Sequence, residues 1–199
     1  MDLTALIADS DCGIASIAGY LDGLDAAGRW QQVRRLDRDQ QRILYRKAEG
    51  PLDLAHFVGG AGSRVEVIHD GLNTLPAPPP LRRFQKRFCR PDSAGEARLF
   101  GYNEGPTRKL LGPGYFVATP TDGRAEWTSH GGVVVDYYRI PDSGVADGWP
   151  DVVPNSKGLQ RFVYHETRDF MRRVSAHVSV GAAFKRDKPL DHYFVLCRR

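Results

Sequence analysis

From residue 59 onward the chain is a succession of short β-branched and aromatic runs separated by glycine, proline, asparagine or aspartate. That spacing constrains the fold more than any other feature of the sequence. Gly59-Gly60-Ala61-Gly62 opens the region, and strands are expected at 64–68, 97–102, 115–119, 124–128 and 133–140, with a further run at 159–164. Connections this short leave little room for the crossover of a dozen or more residues that parallel neighbours need, so the strands are expected to be antiparallel. The C-terminal runs 180–185 and 192–196, turned by Arg186-Asp187-Lys188-Pro189, read as a hairpin.

The first fifty residues follow a different period. Ile14, Ile17, Leu21 and Leu24 fall on one helical face. Trp30, Val33 and Leu36, then Gln40, Ile43 and Leu44, mark a second helical stretch, with any kink at Leu36-Asp37 and a stop at Gly50-Pro51. Two later segments also read as helix. The prolines at 76 and 78–80 introduce a short one that aligns Leu81, Phe84 and Phe88 on its buried side and leaves Arg83 and Arg87 in solvent, and Pro91 closes it. Residues 166–178 place Phe170, Met171, Val174 and Val178 together at helical spacing. The expected class is therefore α+β: N-terminal helices packed on a mostly antiparallel curved sheet, with one late inserted helix and a C-terminal hairpin. No repeat or linker divides the chain, so residues 1–199 are expected to form a single domain, with a helical segment over 1–50 and a sheet-rich body over 59–199.

A chain of 199 residues, 41% hydrophobic and 26% charged, can bury a core without staples. No apolar run approaches the roughly 18 residues of a membrane span, and the first residues lack a basic secretory n-region. The expectation is a cytoplasmic protein with no membrane among its partners. Cys12, Cys89 and Cys197 are odd in number and far apart, which suits buried thiols better than a disulfide framework or a zinc site.

Catalytic motifs are incomplete. His130-Gly131-Gly132 has the form of an oxyanion loop, but no G-x-S-x-G elbow accompanies it, and a turn is the simpler account. His165-Glu166-Thr167-Arg168-Asp169 has the spacing of a zincin helix with Asp where the second His belongs and no third ligand marked, so no metal is expected. The glycines at 59–62 and 112–114 each precede a strand, whereas a phosphate loop joins a strand to a helix. No cofactor is expected either.

What the sequence does offer is rings with polar tips near strand ends. Tyr102, Tyr115, Tyr138 and Trp149 are expected to line a pocket on the concave face of the sheet, beneath the loop 141–154, with Glu104 and His165 as polar partners. This points to a small-molecule-binding protein. Two alternatives accompany it. One is an enzyme built on Tyr102, Glu104, His165 and Asp169. The other is an electrostatic interaction protein, because a net charge of +4 conceals two basic segments, 34–47 and 82–90. In the second of these, Arg82, Arg83, Lys86 and Arg87 are candidates for gripping nucleic acid or another anionic partner.

Overall fold

In the computed structural model, which describes residues 2–92 and 95–199, the sheet closes on itself. Eight strands follow one another around the ring: β1 (Val67–Asn73), β2 (Arg83–Cys89), β3 (Leu99–Glu104), β4 (Phe116–Pro120), β5 (Val133–Asp136), β6 (Thr167–Arg173), β7 (Val178–Lys185) and β8 (Lys188–Arg198). Every neighbouring pair is antiparallel, and β8 returns to pair with β1 from His69↔Arg198 to Asn73↔Phe194. The curved antiparallel sheet of the sequence reading is thus a barrel, which leaves no strand edge unpaired.

Register fixes which side chains point inward. His69↔Lys86↔Asn103, Gly71↔Phe84 and Val135↔Asp169↔Ala183 lie on the interior face. Three glycines on that face each lie opposite a phenylalanine: Gly71 faces Phe84, Gly101 faces Phe116 and Gly181 faces Phe194. The rings lie across the glycines and use the space a side chain would need. A Cβ at Gly101 would stand 2.3 Å from Phe116 Cζ and 2.5 Å from the Arg87 carbonyl oxygen, and one at Gly181 would stand 2.3 Å from Phe194 Cζ. Large residues against small ones in this way let an eight-stranded barrel hold aromatic rings inside.

The chain begins with α1 (Leu3–Ala8), α2 (Ile14–Asp22), α3 (Ala26–Val33) and α4 (Arg38–Lys47). They bury Leu3, Ile7, Ile17, Leu21, Val33 and Leu44 against the outer face of β7 and β8, where Val178, Val180, Val195 and Cys197 receive them. The break at Leu36-Asp37 is real. Asp37 caps α4 by accepting from the Gln40 amide at 2.9 Å, and the Gln40 side chain accepts in return from the Asp37 amide at 2.9 Å. Three four-residue helices follow: α5 (Ala55–Val58), α6 (Arg108–Leu111) and α7 (Ala125–Thr128). α5 plugs one end of the barrel with Phe57 and Val58, above a filled interior of Phe88, Leu99, Phe116, Val133, Val135 and Met171. All three cysteines are free and buried.

Several local expectations are corrected here. Residues 83–89 form β2 and not a helix, and Leu81 is 43% exposed, because Phe84 and Phe88 share a face by strand alternation. The late inserted helix is absent: Thr167–Arg173 is β6, paired on both sides, with Phe170 buried on the outer face and Met171 on the inner. Burial of both faces hides the alternation that marks a half-buried strand. Conversely, Ala125–Thr128 is helical, and Leu159–Phe162 is a single 3-10 turn. The hairpin is present, with Arg186 and Asp187 both at positive φ in its tight turn.

Two predictions follow from the packing. Gly101→Ala should destabilise the protein by about 2 kcal/mol or more, since backbone as well as a ring opposes the new methyl. Urea denaturation checks this. At the plugged end, His69 is fully buried between Phe57 and Phe88, with Nε2 at 2.9 Å from the Phe57 carbonyl, and His56 lies beside it at 6.4 Å between ring centroids. Burial holds His69 down to about 4, and burial together with the neighbouring His69 and Arg198 holds His56 down to about 3. Unfolding frees both to take a proton below their ordinary value of 6.5. Their contribution is therefore complete above that value and is lost as pH falls from there toward 4. The urea midpoint should drop between about pH 7 and about pH 5, and His69→Met should reduce the drop.

Candidate ligand site

The hairpin loops alternate between the two ends of the barrel. Those joining β1 to β2, β3 to β4, β5 to β6 and β7 to β8 gather at the end opposite α5. Here the interior is not filled. A cavity of about 230 Å³ opens among Phe84, Phe194, Leu111, Val163, Tyr164 and Ala183.

Its floor is polar. Lys86 projects inward from β2 between Phe84 and Phe88, and its side chain is 2% exposed. Its ammonium donates to Asn103 Oδ1 at 3.1 Å and to the Tyr137 hydroxyl, and stands 3.1 Å from Asp169 Oδ2. Four rings surround the same nitrogen, with the centroids of Phe116, Tyr137, Phe194 and Phe84 at 4.8, 4.9, 5.0 and 5.9 Å. Tyr137 donates to Asp169 Oδ2 at 3.2 Å, and Asn103 Nδ2 reaches both Tyr137 at 3.1 Å and the Gly114 carbonyl at 3.0 Å. Burial pushes the Lys86 ammonium below its ordinary value and the Asp169 carboxyl above its own, and each partner opposes the shift of the other. Burial, reinforced by the Asp169 charge, drives the Tyr137 phenol well up, so it remains a proton donor. Asp169 Oδ1, by contrast, has no hydrogen-bond partner among the described residues.

The loops over this floor are locked to one another. Gly112 and Gly114 have φ of +103° and +55°, and a Cβ at Gly114 would stand 2.4 Å from the Tyr164 ring. Only glycine lets the β3–β4 loop lie on that ring, which in turn stacks on Tyr137 at 5.3 Å. Asn155 fixes the long β5–β6 connection by donating to the carbonyls of Tyr115 and Tyr137 at 2.7 and 2.8 Å. At the rim Glu104 and Arg108 pair at 2.7 Å, Arg83 is exposed, and His192 carries a buried Nδ1 with no partner among the described residues.

No family model, curated protein or solved structure matches this chain.

The structure gathers some of the sequence-predicted site residues and separates others. Glu104 lines the cavity, and so does Asp169. Tyr102, Tyr115 and Trp149 do meet, with ring centroids 4.9 to 6.3 Å apart, but on the outer face of the barrel beneath the loop 141–154. There the Trp149 indole donates to Glu66 at 2.6 Å, and Tyr115 donates to the Pro150 carbonyl. Tyr138 is 44% exposed, with the Arg168 guanidinium over its ring. His165 lies in a separate surface depression with Phe162, Glu166 and Arg186. The four basic candidates of β2 also part. Lys86 is inside, Arg87 pairs outside with Glu66 at 3.1 Å, Arg82 donates to the Ala77 carbonyl, and Arg83 borders the cavity. Among the described residues, no group of three or more His, Cys, Asp or Glu is placed to hold a metal ion.

Asn103 and Tyr137 are the floor residues that sequence reasoning does not single out. Tyr137 sits beside Tyr138, and only the register decides which of the two turns inward. A test of the floor is a double-mutant cycle. Asp169→Ala should cost about 3–5 kcal/mol by leaving the Lys86 charge buried without its counterion. Lys86→Met combined with Asp169→Leu should recover most of that loss in urea denaturation.

Proposed function

We propose that this chain is a binding protein for one small, largely apolar molecule, seated in the open end of the barrel with a hydrogen-bond donor turned toward Asp169. One observation carries the reading. The barrel interior is packed to one end and hollow at the other, and a desolvated Lys86–Asp169 pair marks the boundary. A core shaped for stability alone would fill that space with apolar side chains, which are at least as stabilising as a buried ion pair. Apolar walls with a few convergent polar groups are the usual make-up of a small-molecule site.

The floor also suggests the polarity of the ligand. Lys86 Nζ, the Tyr137 hydroxyl and Asp169 Oδ2 satisfy one another, which leaves Asp169 Oδ1 as the open acceptor. A hydroxyl or amine at the inner end of the ligand suits it. The same mutual satisfaction occupies the Lys86 ammonium and the Tyr137 hydroxyl, which weighs against their acting as acid or base on a bound molecule. In the first basic segment Arg38 pairs with Asp191, Arg42 pairs with Asp39, and Lys47 donates to the carbonyls of Asp9 and Cys12, which leaves Arg34, Arg35 and Arg46 as the exposed cations of the electrostatic alternative.

Thermal denaturation with medium-chain alcohols, and displacement by them of a fluorescent naphthalene dye, test the proposal. The alcohols should raise the melting temperature as binding to the native state must, more than the matching alkanes do. Ala183→Phe, which fills the cavity beside Asp169, should abolish the shift while the protein stays folded. If Tyr102→Ala abolishes it and Ala183→Phe does not, the outer aromatic cluster is the site instead.

A further inference from the structure

The rim of the cavity has a composition that the cavity itself does not require. Exposed large apolar side chains are concentrated in the loops at this end of the barrel. Leu75 and Leu81 come from the β1–β2 loop, Leu110 from α6, Phe162 and Val163 from the β5–β6 connection and Leu190 from the start of β8. Leu110 and Phe162 are 70% and 65% exposed, and α6 packs against the 3-10 turn that carries Phe162, so the two sit on adjoining elements.

Cations are interleaved with them. Arg83, Lys109, Arg161 and Lys188 are exposed in the same loops, and none forms an ion pair among the described residues. Four carboxylates at this end are already taken: Glu104 by Arg108, Glu166 by Arg186, Asp187 by Arg168 and Asp191 by Arg38. The end of the barrel therefore shows solvent a ring of leucine, valine and phenylalanine studded with uncompensated positive charge. An apolar ring alone would suit many partners. The positive charge selects among them, because apolar side chains that enter an acyl layer and cations that meet headgroups are what an anionic bilayer surface binds.

We propose that the open end of the barrel docks on anionic phospholipid membranes, with Leu110 and Phe162 entering the interface and Arg83, Lys109, Arg161 and Lys188 contacting lipid headgroups. A chain with no apolar run long enough to span can still dock in this way, since docking needs a rim and not a span. The docking rests on the rim alone. Its consequence rests on the ligand-binding reading: a mouth pressed to the bilayer lets an apolar ligand pass between lipid and cavity without crossing water.

Co-flotation with phosphatidylcholine vesicles, prepared with and without phosphatidylserine, tests it. The full chain should float with the phosphatidylserine vesicles, and its affinity for them should exceed that for phosphatidylcholine alone by about tenfold or more and fall steeply with added salt. Lys109→Glu with Arg161→Glu should reverse the preference. Leu110→Asp with Phe162→Asp should abolish flotation. These positions are exposed, so the variants should keep the wild-type melting temperature and the dye binding of the cavity. That dye signal separates the two readings: vesicle binding can fail while the cavity still binds, and the reverse. Equal affinity for both vesicle types, or flotation unchanged in the variants, overturns the proposal. So does a concentration-dependent dimer in sedimentation that Leu110→Asp disrupts, which would assign the rim to a second copy of the chain.

Discussion

Closure of the sheet imposes the constraint on which everything else depends: eight strands enclose a space that must be filled or used. The chain meets it with phenylalanines laid across glycines, Phe116 over Gly101, Phe194 over Gly181 and Phe84 over Gly71. The same rings serve a second purpose. Phe116 and Phe194, with Tyr137, present their faces to the Lys86 ammonium, which gives a cation removed from water some of the stabilisation that water supplied. The glycines that permit the packing therefore also permit the buried charge. A side chain at any of them would push a ring away from the lysine as well as from the core.

Around this ring the outer faces are covered piecemeal. Helices α1 to α4 take β7 and β8, α7 brings Trp127 to Phe170, and the loop 141–154 lays Val145, Ala146 and Trp149 over Cys89, Phe100 and Val117. With both faces of many strands buried, the alternation of apolar and polar residues that reveals a half-exposed strand is lost. This explains how the sequence reading fared. The N-terminal helices face barrel on one side and solvent on the other, and their period is plain down to the break at Asp37. The strands β3, β4 and β7 are flanked by turn residues and stand out for that reason. β6 does not, because Phe170 and Met171 are adjacent and both buried, on opposite faces.

β2 misleads for a sharper reason. A spacing of four residues between Phe84 and Phe88 is one helical turn and also two strand repeats, so the pair alone cannot choose between them. The residue that decides is Lys86. In a helix it would sit in solvent, and in a strand it must share the face of the two rings, an outcome that ordinary expectations about lysine disfavour. The site was illegible where it departs from the rule that charges stay outside. Its carboxylate is equally hidden: Asp169 draws notice in the sequence only as the last residue of an imperfect metal motif, while its true partner lies 83 positions earlier and is brought to it by barrel closure. The aromatic cluster was legible as rings near strand ends, but which side of a strand a ring occupies is a matter of register, and register belongs to the pairing and not to the segment.

The polar floor divides the barrel into two parts with different demands. Below it, Phe57 and the inward core make a packed plug that is apolar apart from the buried His56 and His69. Above it, the wall combines Phe84, Ala183 and Phe194 of strands β2, β7 and β8 with Leu111, Val163 and Tyr164 from the connections between strands. The loops there are locked to one another, by Gly114 on Tyr164 and by Asn155 on two carbonyls. One end is thus filled and the other left open, on a scaffold whose loops are held in place. The Lys86–Asp169 pair is suited to the boundary because its strength depends on dryness. Water entering the cavity screens the pair, and an apolar ligand that expels that water strengthens it. If the open end holds a ligand as proposed, its occupancy would be coupled to the tightness of the floor through solvent.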